Sequence, residues 1–497
     1  MIFSESAFLI YFLPTLLAVF YSFNFIKRFN TNYRYHVLIL SSLFFYSWWY
    51  PPYIFILLAS IVFNFLAAKH ISNVKTSTSV FIVVFINLLL LGVFKYLDFF
   101  ISNINFLLNK DYETWNIVLP LAISFFTFQQ IAYVVDVKRG ICKEYSLKKY
   151  TLFIVFFPQL IAGPIVHHSQ IVYQFDEAIK HGASRSQFKE GIILFFLGLG
   201  KKVLIADSLS FHANSVFNAA GSGVNINFIE SWLGVLAYTF QIYFDFSGYS
   251  DMAVGLALMF GLKIPFNFNS PYKSLNIIDF WRRWHITLSN FLRDYLYISL
   301  GGNRYGIIKR YRNLFLTMLI GGLWHGASWN FVFWGGLHGI YLILNHGWRN
   351  IIKDCKNIDN NIFYIIFSWL VTFLAVTFAW IFFRAESFDT SVLIINAMFS
   401  AEGIIIPQIF SNFEFFSYLA SKNIISFQSY ENFGSAVGMI YIFIAFILIW
   451  PINSIKLSKV MVDSKRPLYF IFLSIVIYLA LTKSIFFSAN EFIYFNF

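Results

Sequence analysis

The sequence predicts an all-α protein that crosses a membrane many times. Three observations carry this reading. The 497-residue chain is 58% hydrophobic and 12% charged, roughly half the charged share of a soluble protein. Its apolar windows repeatedly approach the ~20 residues a helix needs to cross a ~30 Å hydrocarbon core. Basic clusters punctuate those windows, as the positive-inside rule expects of cytoplasmic loops.

Apolar segments fall near 7–26, 36–50, 53–68, 79–97, 116–135, 189–206, 228–246, 313–347, 362–383, 437–453 and 467–487. With shorter pieces allowed for, roughly 10–12 crossings are expected. The first segment contains no basic n-region and no clear small-residue cleavage site, so it reads as a retained span. Lys27, Arg28 and Arg34 follow it, which directs that span from outside to inside. Pro51 and Pro52 separate the second segment from the third, because proline breaks a helix. The clusters Lys138–Lys149, Lys201-Lys202, Arg304–Arg312, Arg349–Lys356 and Lys456–Arg466 mark cytoplasmic loops. The last cluster puts the C-terminus outside with the N-terminus, which requires an even number of crossings.

Three stretches are too polar or too broken to be plain spans. FPQLIAGPIVHHSQ (157–170) is interrupted by Pro158, Gly163 and Pro164, and irregular backbone at membrane depth must be buried in protein or line a wet cavity. The second is IYFDFSGYSDMAVGLALMFGLKIPFNFNSPY (242–272). The third, DFWRRWHITLSNFLRDYLYISLGGNR (279–304), is amphipathic and rich in Trp and Arg, which suits an interfacial or re-entrant helix. Residues 401–432 are more polar and predict an external loop with short helices. The whole of 1–497 reads as one integral-membrane domain, with no soluble domain, linker or repeat.

The net charge of +12 follows from loop topology; no basic stretch resembles a nucleic-acid-binding module. Cys142 and Cys355 are far apart, lack CxxC spacing and lie beside basic residues, so neither a disulfide framework nor a thiolate metal site is expected. There is no HExxH, no GxxxxGK[ST] and no GxSxG. No resident metal or cofactor is expected.

His325 is the foremost candidate for chemistry. It lies in NLFLTMLIGGLWHGASWNFVFWGGLHG (313–339), apolar enough for the bilayer interior, where an ionisable group is costly. It follows Arg312 by 13 residues, about 20 Å of helix. Gly321, Gly322 and Gly326 around it allow close approach of a helix or ligand. Imidazole suits proton transfer near neutral pH; the competing reading is a histidine hydrogen-bonded between helices. His285, in FWRRWH, is forty positions away, so a shared site needs tertiary packing. A base and a second polar group that positions its partner or an oxyanion make a workable pair; otherwise His285 sits in an interfacial aromatic belt. A continuous helix would put His338 about 20 Å from His325 on another face, as a structural residue or one near the opposite membrane face. His167 and His168 follow the broken FPQLIAGP segment and read as an ordinary polar loop, the alternative being the lining of a mouth. Asp245, Asp251, Asp279 and Asp294 have Arg282, Arg283 and Arg293 available, and structural ion pairs are the expectation.

Seven blocks, in order and covering most of 90–390, are specific together: LGVFKYLDFF (91–100), LPLAISFFTFQQIAYVVDVKRG (119–140), FPQLIAGPIV (157–166), YFDFSGYSDMAVGLALMFG (243–261), DFWRRWHITLSNFLRDYLYISLGGNR (279–304), RNLFLTMLIGGLWHGASWNFVFWGGLHG (312–339) and WIFFRAESF (380–388). With them the chain resembles the membrane-bound O-acyltransferase (MBOAT) superfamily, in the branch of the alginate and peptidoglycan O-acetyltransferase membrane subunits. The resemblance implies a polytopic helical core, with re-entrant and interfacial helices, around a central tunnel. Its invariant-type histidine falls on His325 and its second functional position on His285. Trp324, Asp245, Trp281, Arg282 and Gln129 are the positions expected along the substrate path.

The same resemblance implies an activity. Acetyl from cytoplasmic acetyl-CoA would pass across a bacterial cytoplasmic (inner) membrane toward a hydroxyl of an extracytoplasmic polysaccharide. An SGNH-type or similar partner transferase would make the final transfer. His325 would act as general base or carry acetyl itself, and His285 would position the thioester or stabilise an oxyanion. The alternatives are a D-alanyl transfer protein of teichoic acid modification, a transporter or channel with a histidine proton relay, and a scaffold for polysaccharide export.

Overall fold

A computed structural model describes the chain except for residues 24–31, 143–145, 162, 354–359, 401–403, 423–424, 429–435, 488–491 and 497. Lys27, Arg28, Cys355, Lys356 and parts of the 401–432 loop therefore lie outside the described residues. Among the described residues the fold is all-α apart from one short pair of parallel strands, Ile404–Pro407 and Ile425–Gln428. That pair lies where the sequence predicts only short helices; two of those, Gln408–Asn412 and Glu414–Ser421, are present as well.

Four of the described helices are both long and apolar enough to cross a membrane: Tyr53–Val74, Ser77–Leu108, Ile362–Arg384 and Pro467–Phe486. The expected 10–12 crossings would require shorter or more polar helices to enter the bilayer too.

The residues form two compact units. One comprises Met1–Gly200, Ser247–Asn267 and Ser454–Phe497. Its helix Asn32–Ser47 ends before Pro51 and Pro52, and Tyr53–Val74 begins after them. Asn64, fully buried, ties helices together: its Nδ2 donates to Asn87 Oδ1 and to Gln130 Oε1, each at 3.0 Å. Ser60 Oγ donates to the same Gln130 oxygen at 2.6 Å. Such interhelical bonds act as glue where lipid supplies no hydrophobic drive. The expected span 116–135 is shorter than its apolar run, because the helix begins only at Ile123, after Pro120 and an Ala122 with φ of 60°.

The broken segment after Phe156 is buried, as irregular backbone in such a protein must be. Phe157 N–H donates to Ser42 Oγ at 3.1 Å, and the Phe157 ring packs against Phe8, Phe12 and Phe45. His167 and His168 are not in a loop: they begin the helix His168–His181, with the His167 N–H donating to Gln170 Oε1 at 3.1 Å. The ring of His168 packs against Tyr133 and Phe153.

The stretch 242–272 is regular in its first part, where it belongs to the single 32-residue helix Phe228–Met259, and irregular after Met259. Its glycines are contacts, not breaks. A Cβ on Gly255 would stand 2.6 Å from the Gly191 carbonyl, and one on Gly191 would stand 2.7 Å from the Gly255 carbonyl. The helix Arg185–Gly200 therefore lies backbone to backbone against it.

The second unit, Lys201–Phe246 and Phe268–Asn453, holds the candidate histidines. Two helices form its central hairpin, Ile307–His325 and Trp329–Ile352. Around them lie Asp207–Gly221, the first part of Phe228–Met259, Ile362–Arg384 and Phe388–Met398. The sequence treats 313–347 as one apolar run, but Gly326 adopts an extended backbone and ends the first arm. Ser328 then caps the second arm, its Oγ accepting from Asn330 N–H at 3.3 Å.

Candidate functional site

The hairpin brings its two arms into backbone contact through glycine. A Cβ on Gly322 would collide with the carbonyl of Phe331, one on Gly335 with the carbonyl of Met318, and one on Gly326 with the Phe331 ring. This close packing is what small residues provide between helices in lipid. It puts His325, the last residue of the first arm, beside the first turns of the second. Asn330 Nδ2 donates to the Ala385 carbonyl at 2.8 Å, tying the turn to the end of Ile362–Arg384.

His325 is 3% exposed and enclosed by aromatic rings. Its ring centroid lies 4.9 Å from Trp324, 5.1 Å from Trp334 and 5.1 Å from Phe383, all at steep interplanar angles.

The expected single amphipathic helix over 279–304 is instead three short pieces, Ile277–Arg283, Ile286–Phe291 and Leu292–Tyr297. His285 lies at the first break with φ 39° and ψ 55°. This left-handed backbone costs a non-glycine residue about 1–2 kcal/mol, and such outliers cluster at functional sites. The break turns His285 inward: it is 1% exposed, with Phe246 edge-on at 4.7 Å and Trp324 at 6.5 Å. Trp284, beside it, is clamped by Phe280, Phe268 and Trp380. Tertiary packing thus brings His285 and His325 to one indole, that of Trp324.

His338 departs from its expected place. Because the helix breaks at Gly326, it is not a long helix away from His325 but on the returning arm. Its ring stands 4.8 Å from Trp334, the same indole that touches His325. Trp281 Nε1–H donates to His338 Nδ1 at 3.3 Å. The sequence signal was present in the glycines of HGASWNFVFWGG, which fold a hairpin as well as they line a helix.

Two of the four carboxylates take arginines the sequence offered, and two do not. Asp279 pairs with Arg283 at 2.9 Å and Asp294 with Arg293 at 2.7 Å. Asp245, 1% exposed, pairs instead with Lys202 at 2.7 Å, and Lys202 also reaches Asp207 at 2.8 Å. Lys202 is therefore not in a cytoplasmic loop; it is 2% exposed within a π-helical turn, Lys201–Ala206. The i to i+5 spacing of that turn is what brings Lys202 to Asp207. In the other unit, Asp251 accepts from Ser454 Oγ at 2.5 Å.

Of the remaining expected path residues, Trp324 and Trp281 are in the histidine cluster. Arg282 is exposed on the short helix Ile277–Arg283, away from it. Gln129 belongs to the other unit, where it is buried with its Oε1 unpartnered. Among the described residues no three His, Cys, Asp or Glu side chains converge in a way that would hold a metal.

Comparison with known proteins gives this geometry its context. Residues 137–385 match the family model of MBOAT, the membrane-bound O-acyltransferase family. That range contains His285, His325 and His338, and excludes Gln129. The peptidoglycan O-acetyltransferase of Helicobacter pylori is 43% identical over 396 residues, 74% of each chain. The Probable alginate O-acetylase AlgI of Pseudomonas aeruginosa is 40% identical over 410 residues, 80% of this chain and 75% of that one. The teichoic acid D-alanyltransferase of Streptococcus thermophilus is 28% identical over 254 residues, 48% of this chain and 60% of that one.

Proposed function

Since the chain belongs to the membrane-bound O-acyltransferase family, and is an acyltransferase of the membrane, we propose that it is the membrane subunit of a polysaccharide O-acetylation system. Its donor is cytoplasmic acetyl-CoA, and the acetyl group crosses a bacterial cytoplasmic membrane through a tunnel in the protein. The acyl acceptor is a hydroxyl on the far side, that of a partner transferase or of the polysaccharide, and peptidoglycan is the glycan we favour. A tunnel meets a physical need, because CoA is large and polyanionic and cannot enter lipid. Acetyl is favoured over D-alanyl by the higher identity to the O-acetyltransferases, 43% against 28%.

The observation that carries the reading is the packing of His325 and His285 on one buried tryptophan, Trp324, with ring centroids at 4.9 and 6.5 Å. His325 takes the proton of the accepting hydroxyl as its oxygen attacks the thioester carbonyl carbon. The carbonyl π electrons move to oxygen, and His285 stabilises that charge. When the electrons return, the C–S bond breaks and CoA leaves as the thiolate, to which the His325 imidazolium gives its proton. The aromatic enclosure keeps water from competing for the thioester.

The test is the ester-linked acetyl released by mild base from the cell envelope and exopolysaccharide. A strain whose only copy is His325→Ala, inserted at wild-type level, is expected to lose the acetyl that depends on this protein. Wild-type acetyl content in that strain would remove the reading in favour of a channel or scaffold.

A further inference from the structure

We propose that His338 is a third functional imidazole of this site, a fixed neutral N–H donor that holds the carbonyl oxygen of the acyl group. The proposal rests on the acyl-transfer reading and adds a residue to it. Its first support is position. His338 and His325 are on opposite arms of the hairpin, yet both rings rest on the Trp334 indole, at 4.8 and 5.1 Å.

The second support is the proton inventory. An indole N–H can only donate. Trp281 Nε1 donates to His338 Nδ1 at 3.3 Å, so Nδ1 is the acceptor and the neutral ring carries its proton on Nε2. That Nε2 is buried and meets no hydrogen-bond partner, in a residue with 0% exposure. The Nε1–H of Trp334, 1% exposed, is likewise buried and unpartnered. Buried polar groups are ordinarily satisfied, and each exception needs a reason. Two unmet donors on adjoining rings, one of which packs on His325, call for a ligand that brings an acceptor and no proton. A thioester carbonyl fits, and it becomes a better acceptor as it turns into an oxyanion.

The step balances without moving the His338 proton. The acceptor oxygen bonds the carbonyl carbon, and the displaced electron pair settles on the carbonyl oxygen, facing Nε2–H. The pair returns, the C–S bond breaks, and the thiolate takes its proton from His325. Trp281 is a positioning residue: it holds His338 in the tautomer that donates from Nε2. His285 and His338 then share the charge between them.

The test uses the purified full-length protein with labelled acetyl-CoA and three variants. His338→Phe keeps a ring and loses both nitrogens; His338→Gln restores an N–H; Trp281→Phe removes only the indole donor. We expect His338→Phe to lower kcat by about 10²–10³ with little change in KM and in melting temperature. His338→Gln is expected to recover at least about tenfold of that loss, and Trp281→Phe to lower kcat in the wild-type background but not in His338→Phe. A His338→Phe kcat within about twofold of wild type overturns the proposal. So does an equal loss in His338→Phe and His338→Gln, which would mark packing alone. If His338→Phe does not fold, Trp281→Phe decides, and a wild-type kcat there overturns it. If the wild-type protein does not consume acetyl-CoA, the donor assignment fails separately. The same variants are then scored by polymer acetyl content, where wild-type content in His338→Phe overturns the role of His338 and loss upholds it.

Discussion

The ring of Trp334 meets the ring of His325 edge to face at 5.1 Å, with the two residues on opposite arms of one hairpin. A hairpin turn of three residues, Gly326 to Ser328, makes this contact possible. It converts a run that reads as one apolar segment into the wall of a site. Everything proposed for His325 depends on that turn staying closed.

The glycines that close the hairpin should therefore be intolerant of size. Gly335→Val and Gly322→Leu each place carbon on an opposing backbone carbonyl. Overpacking of this kind costs about 1–3 kcal/mol or more. The expected outcome is a lower melting temperature in detergent together with lost acyl transfer. Normal stability and activity in both variants would mean that the arms are not in backbone contact.

His285 makes a prediction that separates backbone from chemistry. Its φ of 39° suits Asn far better than a β-branched residue. His285→Asn is expected to keep the wild-type melting temperature while the acyl-transfer rate falls by about 10²–10³. His285→Val is expected to lose both, with about 1–2 kcal/mol of added strain. Equal melting temperatures for the two variants would argue against the left-handed conformation.

Much of this was legible in the sequence. The apolar windows predicted an all-α membrane protein, and the ordered blocks marked His325 and His285. What remained hidden was tertiary. Gly326 and Ser328 look like ordinary members of an apolar run until the second arm folds back, so His338 was read as remote. The stretch 242–272 read as too polar or broken for a plain span, yet its first part belongs to one long helix packed through Gly255. Lys202 looked like a loop charge because hydropathy cannot show that Asp245, 43 positions on, waits to neutralise it. Asp245 was expected to seek an arginine from 282–293 and found this lysine instead.

The Lys202 triad yields a stability prediction. Lys202→Met leaves Asp245 and Asp207 buried without their cation, and breaking such a pair costs about 3–5 kcal/mol. The variant should express poorly or melt early. The double change Lys202→Met with Asp245→Asn should regain part of the loss, because it removes a buried charge. If Lys202→Met melts like wild type, the triad is not formed.

Cys142 offers a chemical check outside the spans. It is 3% exposed, and its thiol is pushed up to about 12 by burial, with the nearby Asp136 carboxylate adding to the effect. Below that pH it stays a thiol, and only the thiolate attacks. In a Cys355→Ser background, maleimide at pH 7.5 should leave the native protein unlabelled and label it fully after SDS. Rapid native labelling would contradict this burial.

In the proposed function His325 moves a proton for acyl transfer. The most direct measurement incubates purified wild-type protein and His325→Ala, matched in melting temperature, with acetyl-CoA labelled on the acetyl group. The wild type is expected to release or transfer label, and the variant to do so at a rate at least about 10²-fold lower. Equal rates in the two proteins would contradict it.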